Sequence, residues 1–289
     1  MAVRTLKKRR RLASHAMGLE PEHVKALSGD FTLEDVHEYR LNRALYIIYI
    51  QTKDVDPENA EEVSESGITP TMANQFARGL SILSGLNPER PILAEMSTDG
   101  GEWEAGIQMF DSILACPNPV TVLAHRWARS MSSIVPLAAD KFVMMPGAKY
   151  MFHHGTYSFG GLEQEADTGD LERREAKERM LLLYVTRLRE QGVYSKWSEQ
   201  RIVKMLEEKI KDHVDVWLSS REARRWGFAD DVFNGNWSTL RAEKRNEKRR
   251  KRMLEALHEN IKVDVRVSSR LRTRERTKRA PDTSKPPSD

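Results

Sequence analysis

Three short stretches of this 289-residue sequence bring together residue types that can do chemistry. Asp99-Gly100-Gly101 follows the apolar run Pro91–Met96. Paired glycines at a strand end let the backbone approach a ligand closely and aim N–H groups at an oxyanion. An ordinary strand-to-helix turn uses the same residues, and that reading stands beside the first. The second stretch, Ala128-Arg129-Ser130-Met131-Ser132-Ser133, lies between the run Pro119–Ala124 and a segment of small residues. Its serine is either an N-cap or a nucleophile whose developing negative charge meets free helix N–H groups. The third, Met151-Phe152-His153-His154-Gly155, closes an apolar run. A histidine there can act as the general base that activates a serine. The alternatives are a structural histidine or a metal ligand. Adjacent strand residues point to opposite faces, so His153 and His154 are poor joint ligands for one metal.

Alternating strands and helices must position these groups. The pattern predicts a helix start at Phe31–Val36 with Thr32 as N-cap and Asp35 at the third helical position. A strand over Ala44–Ile50 and an acidic loop over Asp54–Gly67 follow. A helix opens at Thr69-Pro70 and runs through Leu83, with Met72, Phe76, Leu80 and Leu83 near helical spacing. Then come a strand at Pro91–Met96, a helix at Glu104–Leu114, a strand at Pro119–Ala124 and a helix at Ser130–Ala139. Strands at Lys141–Met145 and Tyr150–His153 are separated by Pro146-Gly147. Helices are expected over 162–191, Lys196–Ile210 and Ser219–Trp226, the last ending at Gly227, with Val232-Phe233 as the exit. This alternation implies an α/β layered domain. The expected division is a basic arm and helical segment (1–40), a main domain (41–236) and a charged tail (237–289) whose end, Pro281–Asp289, reads as disordered.

Charge is distributed unevenly. The net charge of +4 comes from 47 basic and 43 acidic residues. Residues 1–11 hold six basic groups and no acid, and residues 241–289 hold 17 basic against 8 acidic. The body between them therefore carries 24 basic and 35 acidic groups, a net of −11. Binding to nucleic acid is a question for the tails alone. In Arg241–Arg252 the lysines and arginines suit phosphate attraction, while the interspersed Glu243 and Glu247 and the lack of aromatics suit a solvated charged helix or arm. The longest unbroken apolar run, Ala44–Ile50, is far short of the ~20 residues of a membrane-spanning helix. The N-terminus has no apolar segment behind its basic start, so no secretory signal is expected. A single cysteine, Cys116, excludes an internal disulfide and any multi-cysteine metal site. The expected setting is soluble and cytoplasmic.

Taken in chain order, the three stretches resemble the proteolytic subunit family of Clp proteases, the ClpP-like serine peptidases. The residues that carry the resemblance are Gly100-Gly101, Gly106, Phe110-Asp111, Ser130-Met131 and Met151-Phe152-His153. Asp215-Val216-Trp217-Leu218-Ser219 with Glu222-Ala223, Gly227 and Asp230 completes the set. It spans about residues 44–233. The long interval between His153 and Asp215 looks more like the phage head-maturation branch than a housekeeping subunit.

The resemblance implies a ClpP/crotonase-type spiral of βαβ units with a helical handle at about 156–195. The handle would be built from Phe159-Gly160-Gly161 and the helix bearing Leu171, Leu181, Leu182, Leu183, Val185 and Leu188. It implies Ser130 as nucleophile, His153 as general base and then acid, and Asp215 as the carboxylate orienting the imidazole. The backbone N–H groups of Gly101 and Met131 would form the oxyanion hole. No cofactor or metal is implied. The implied partners are protein or peptide substrates and further copies of the chain in a ring, a heptamer that can stack as two rings. A separate AAA+ ATPase would do the unfolding, since the sequence has no Gly-x-x-x-x-Gly-Lys-Ser/Thr segment. In the phage branch the substrates would be scaffold or capsid precursors. No membrane partner is implied.

The chain departs from the family pattern at Asp99, where proline is usual, and at Arg129 and Ser132, where small residues and glycine are usual. Gly155 stands in place of a common proline. No catalytic group is lost, but substrate preference does not transfer. Two other classes remain open: a catalytically idle ring subunit or assembly scaffold, and an acyl-CoA enzyme of the same fold class.

Overall fold

The computed structural model describes residues 40–51, 67–156 and 163–257. The helix start at 31–36, nearly all of the 54–67 loop, Phe159-Gly160-Gly161 and the 281–289 tail lie outside the described residues. The chain enters through β1 (Leu41–Asn42) and β2 (Ile47–Gln51), an antiparallel pair. Ala44–Tyr46, expected in the strand, instead form the turn between them. Asn42 Oδ1 accepts from the Leu45 N–H at 2.9 Å, and Tyr46 turns the chain at φ 58°.

Helix α1 (Pro70–Leu86) starts as its sequence suggests, with Thr69 Oγ1 accepting from the Met72 N–H and Pro70 in the first turn. It leads into β3 (Ile92–Thr98), α2 (Trp103–Ala115) and β4 (Val120–Arg129). Strand β4 outruns its expected end at Ala124 by five residues. The polar His125 and Arg126 broke the apolar run without ending the strand. The helix expected over Ser130–Ala139 is split into α3 (Met131–Ile134) and a 3₁₀ turn (Val135–Ala138). Pro136 has no N–H to continue the α-helical ladder.

Next come β5 (Lys141–Met144), β6 (Lys149–Phe152), the long α4 (Glu163–Glu190) and α5 (Glu199–His213). Ser198 caps α5, so that helix begins three residues later than expected. An unanticipated strand, β7 (Val216–Ser219), precedes α6 (Ser220–Trp226), which starts with a capping box between Ser219 and Glu222. Strand β8 (Asp231–Val232), a 3₁₀ turn (Trp237–Leu240) and α7 (247–257) complete the described residues.

The sheet runs β1-β2-β3-β4-β5-β8, with β6 on β4 and β7 on β6. From β2 to β8 the main path is parallel. Three successive strand–helix–strand crossovers carry it, so the α/β layering expected from the sequence is what the chain builds. Strand residues alternate between the two faces with period two. Ile48, Ile50, Ala94, Met96, Val122 and Phe142 enter the main core with α1 and α2. Ile47, Leu93, Leu123 and Val143 form a smaller cluster on the other face, covered by Leu240 and Trp237.

Helix α4 is 28 residues long, about 42 Å at 1.5 Å per residue. Its C-terminal half is buried through Met180, Leu183, Tyr184 and Leu188, while Leu171 near its N-terminal end is exposed. At the C-terminal end Arg187, fully buried, binds Glu190 and Asp230 at 2.9 Å each. Arg249 from α7 binds the same two carboxylates at 3.0 and 2.8 Å. Arg245 and Arg250 donate to the Leu114 carbonyl, and Met253 is buried. The 241–252 run is thus not simply a solvated face; part of its charge is consumed internally.

Burial alone would raise the Asp230 carboxyl, but the Arg187 and Arg249 guanidinia outweigh it and hold the group well below the usual carboxylate range. Its stabilising contribution is therefore complete above the unfolded carboxylate value of about 3.9. It is lost as the pH falls toward the depressed folded value. Asp230→Asn, which leaves two arginines to share Glu190, should destabilise the fold by about 3 kcal/mol at neutral pH in urea unfolding. The difference from the parent should shrink below about pH 4; an equal difference at pH 7 and pH 3 would contradict this role.

Candidate active site

Two strand registers bring the candidate residues together. Parallel pairing of β4 with β6 aligns Arg129 with Met151, and the Ser130 N–H continues it by donating to the Met151 carbonyl at 3.1 Å. Antiparallel pairing of β6 with β7 aligns Phe152 with Val216. One step beyond each pair lie Ser130, His153 and Asp215.

His153 Nε2 is 2.8 Å from Ser130 Oγ, and its Nδ1 is 3.1 Å from Asp215 Oδ1. A carboxylate can only accept, so the Nδ1–H donates to Asp215 and Nε2 accepts from the Ser130 hydroxyl. All three residues singled out for the serine, histidine and carboxylate roles therefore meet in one hydrogen-bonded line. His153 is largely buried, and Asp215 is nearly half exposed. His154 lies in the wall of the same cleft; burial, reinforced by Lys177, lowers its pKa below the ordinary histidine value. Among the described residues, no group of three or more histidine, cysteine, aspartate or glutamate side chains is placed to hold a metal ion.

Ser130 sits at a sharp turn, φ 51° and ψ −129°, and makes no capping hydrogen bond with its side chain. The N-cap alternative therefore does not describe it. A non-glycine residue in such a conformation persists only where its surroundings hold it. Here they do: the Ser130 carbonyl accepts from the Ser133 N–H at 2.9 Å and from the Ser133 hydroxyl at 2.6 Å. Behind it, Tyr150 donates to the Ser133 carbonyl at 2.9 Å, and the Tyr184 hydroxyl lies 2.6 Å from Ser133 Oγ. Burial raises both phenols far above their usual value, so they remain protonated. Neither tyrosine was marked by local sequence pattern; Tyr184 is 51 residues from its partner.

The glycine turn lies against this elbow. Ile68 bridges it in parallel, its N–H donating to the Gly100 carbonyl and its own carbonyl accepting from the Glu102 N–H. Those bonds use one edge of the segment, so the Gly101 N–H faces the opposite edge. A Cβ on Gly100 would stand 2.7 Å from Ser130 Cβ and 2.9 Å from the Arg129 carbonyl. Only glycine permits this approach. Met131 packs its side chain on Gly106 of α2, where a Cβ would fall 2.1 Å from Met131 Cγ.

The site opens into a cleft of about 900 Å³, lined by Ser130 and His153, by apolar Ile134 and Met180, and by charged Glu172 and Lys177. A serine–histidine–carboxylate line that opens into a cleft can transfer an acyl group through a covalent serine adduct.

Comparison with known proteins finds proteases. A model of the Clp protease family matches residues 61–236. The ATP-dependent Clp protease proteolytic subunit of Deinococcus radiodurans is 31% identical over 167 residues, 56% of this chain and 74% of that protein. The corresponding subunit of Streptococcus thermophilus is 27% identical over 171 residues, 58% of this chain and 82% of its own length. Subunit 1 of Chlamydia trachomatis is 28% identical over 167 residues, 57% and 81% respectively.

The packing of Gly100 makes a direct prediction. Gly100→Ala should lower stability by about 1–3 kcal/mol, as overpacking and a positive φ of 104° both act against a side chain. Urea unfolding measures this; an unchanged midpoint would contradict the close approach.

Proposed function

The chain belongs to the Clp protease family and is a peptidase, and from that premise we propose that it is a serine endopeptidase acting through Ser130, His153 and Asp215. The observation that carries this reading is the hydrogen-bonded line from Ser130 Oγ through the His153 ring to Asp215, at 2.8 and 3.1 Å.

In this reading Ser130 Oγ attacks the scissile carbonyl carbon while His153 Nε2 takes the hydroxyl proton. Asp215 holds the Nδ1–H tautomer and stabilises the imidazolium that forms. The carbonyl oxygen becomes an oxyanion and is received by the Gly101 and Met131 N–H groups. Collapse of the adduct breaks the C–N bond, and His153 returns its proton to the leaving amine. The acyl-serine is then hydrolysed by water along the same path, with His153 as base and then acid. The bridge to Ile68 uses the Gly100 carbonyl and the Glu102 N–H, so it leaves the Gly101 N–H free for this role.

The working form is a homo-oligomeric ring, a heptamer that can pair with a second ring. Exposed, apolar Leu171 in the N-terminal half of α4 supports such pairing. Relatives named as ATP-dependent proteolytic subunits support a separate ATPase that delivers unfolded chains. They favour this over the phage-maturation reading, in which capsid or scaffold precursors are cut without an ATPase. The idle-subunit alternative has no observation in its favour, since the Ser130–His153–Asp215 line is fully formed. An acyl-CoA role would use the oxyanion donors but leave the histidine–aspartate pair without work.

Hydrolysis of a fluorogenic peptide, with native mass measured on the same sample, tests the proposal. Ser130→Ala should lower kcat by about 10⁶-fold and Asp215→Asn by about 10⁴-fold, and the native mass should be a multiple of the 33.3 kDa chain. Hydrolysis that survives Ser130→Ala would overturn the nucleophile assignment, and a mass of one chain would overturn the ring.

A further inference from the structure

We propose that Arg129 is a positioning residue that, with Asp99 and Ser132, clamps the glycine turn to the nucleophile turn. The inference rests on the reading of Ser130 as nucleophile and Gly101 as oxyanion donor, and it assigns a role to three residues at which the chain departs from the pattern of its family.

The contacts are specific. Arg129 Nη2 binds Asp99 Oδ2 at 2.9 Å, and Arg129 Nε donates to the main-chain carbonyl of the same aspartate at 3.1 Å. One guanidinium therefore holds both the side chain and the backbone of the residue just before Gly100. From the same turn, Ser132 Oγ accepts from the Arg129 N–H at 3.0 Å. Its hydroxyl lies 3.2 Å from the Thr98 carbonyl and 2.8 Å from the Arg129 carbonyl, either of which can take its proton. Ser132 is fully buried.

A clamp is needed at this point because the sheet does not provide one. The last paired residues of β3 and β4 are Thr98 and Ala128, beyond an irregularity in the register. Past them, the Asp99–Gly101 and Arg129–Met131 segments are joined by side chains rather than by the ladder. Both segments have unusual backbones: Gly100 and Gly101 have φ of 104° and 143°, open only to glycine, and Ser130 is strained at φ 51°. A strained serine turn facing a flexible glycine turn holds that relation only if further contacts over-determine it.

Arg129 lines the cleft, but not as a free cation for a substrate. Its charge is already matched by Asp99, and its guanidinium lies 5.2 Å from the centre of the Trp127 ring. The pair is partly exposed, and exposed ion pairs add little to stability. Its effect should therefore appear in turnover rather than in folding. Misplacing a catalytic group by about 1 Å costs about 100-fold in rate.

The test compares the full-length parent with Arg129→Ala, Arg129→Lys, Asp99→Ala and the Arg129→Ala/Asp99→Ala double variant. For each, kcat and KM on a fluorogenic peptide, native mass and Tm are measured, with Ser130→Ala as reference. Arg129→Ala should lower kcat by about 10- to 100-fold, with KM within about threefold and Tm and mass unchanged. The double variant should be no slower than the worse single one, because both remove the same clamp. Arg129→Lys, which keeps the charge opposite Asp99 but not the forked second bond, should fall between parent and alanine variant. Arg129→Ala activity within twofold of the parent, a rise in KM at constant kcat, or single losses that multiply in the double variant would overturn the clamp. A parent insensitive to Ser130→Ala would instead overturn the triad reading on which the clamp rests.

Discussion

Everything at the candidate site depends on one short strand, β6, held at a fixed register between two neighbours. Three of its four residues pair in parallel with the end of β4, and all four pair antiparallel with β7. A slip of one residue against either neighbour would turn every side chain to the opposite face. Ser130 would then lose His153, or His153 would lose Asp215. The register is held from within by Tyr150 and Phe152, both fully buried in an aromatic cluster with Tyr184, Trp226 and Phe228. The burial of Tyr150 and Phe152 in that cluster is therefore also what sets the chemistry at the end of β6.

A second constraint acts at a distance. The buried charges of Arg187, Glu190, Asp230 and Arg249 join the end of α4, the approach to β8 and helix α7. Burying four charges is tolerable only because each is matched and hydrogen-bonded. The long helix whose Tyr184 supports the Ser133 turn is thus anchored three residues further on by Arg187. The basic segment read as a tail contributes Arg249 to this anchor. The excess positive charge of the C-terminal region accordingly serves the fold in part, which narrows any role in phosphate binding to the residues left over.

Much of the site was legible in the sequence because its chemistry is encoded in residue types at strand ends. Gly100-Gly101 and His153 stand at or just past the end of an apolar run and Ser130-Met131 before a segment of small residues, whereas Asp215 was marked only by the family resemblance. The meaning of Ser130 was not legible locally, since a cap and a nucleophile look alike until the backbone angles and the missing capping bond separate them. Strand β7 escaped notice because four residues between a charged helix and a capped helix carry too little periodicity. The far half of β4 escaped because His125 and Arg126 interrupt its apolar pattern while the backbone pairing continues. The Arg129–Asp99 contact was beyond reach in principle: its partners are 30 residues apart, and only the convergence of β3 and β4 brings them together.

The central claim is that this register selects one hydroxyl among three neighbouring serines. Ser132 and Ser133 are buried and committed to backbone partners, whereas Ser130 faces His153. Reaction with a fluorophosphonate followed by tandem mass spectrometry of the 127–141 region tests this most directly. The account predicts a phosphonyl adduct on Ser130 alone and its loss in His153→Ala. An adduct on Ser132 or Ser133, or labelling of Ser130 at an unchanged rate without His153, would contradict it.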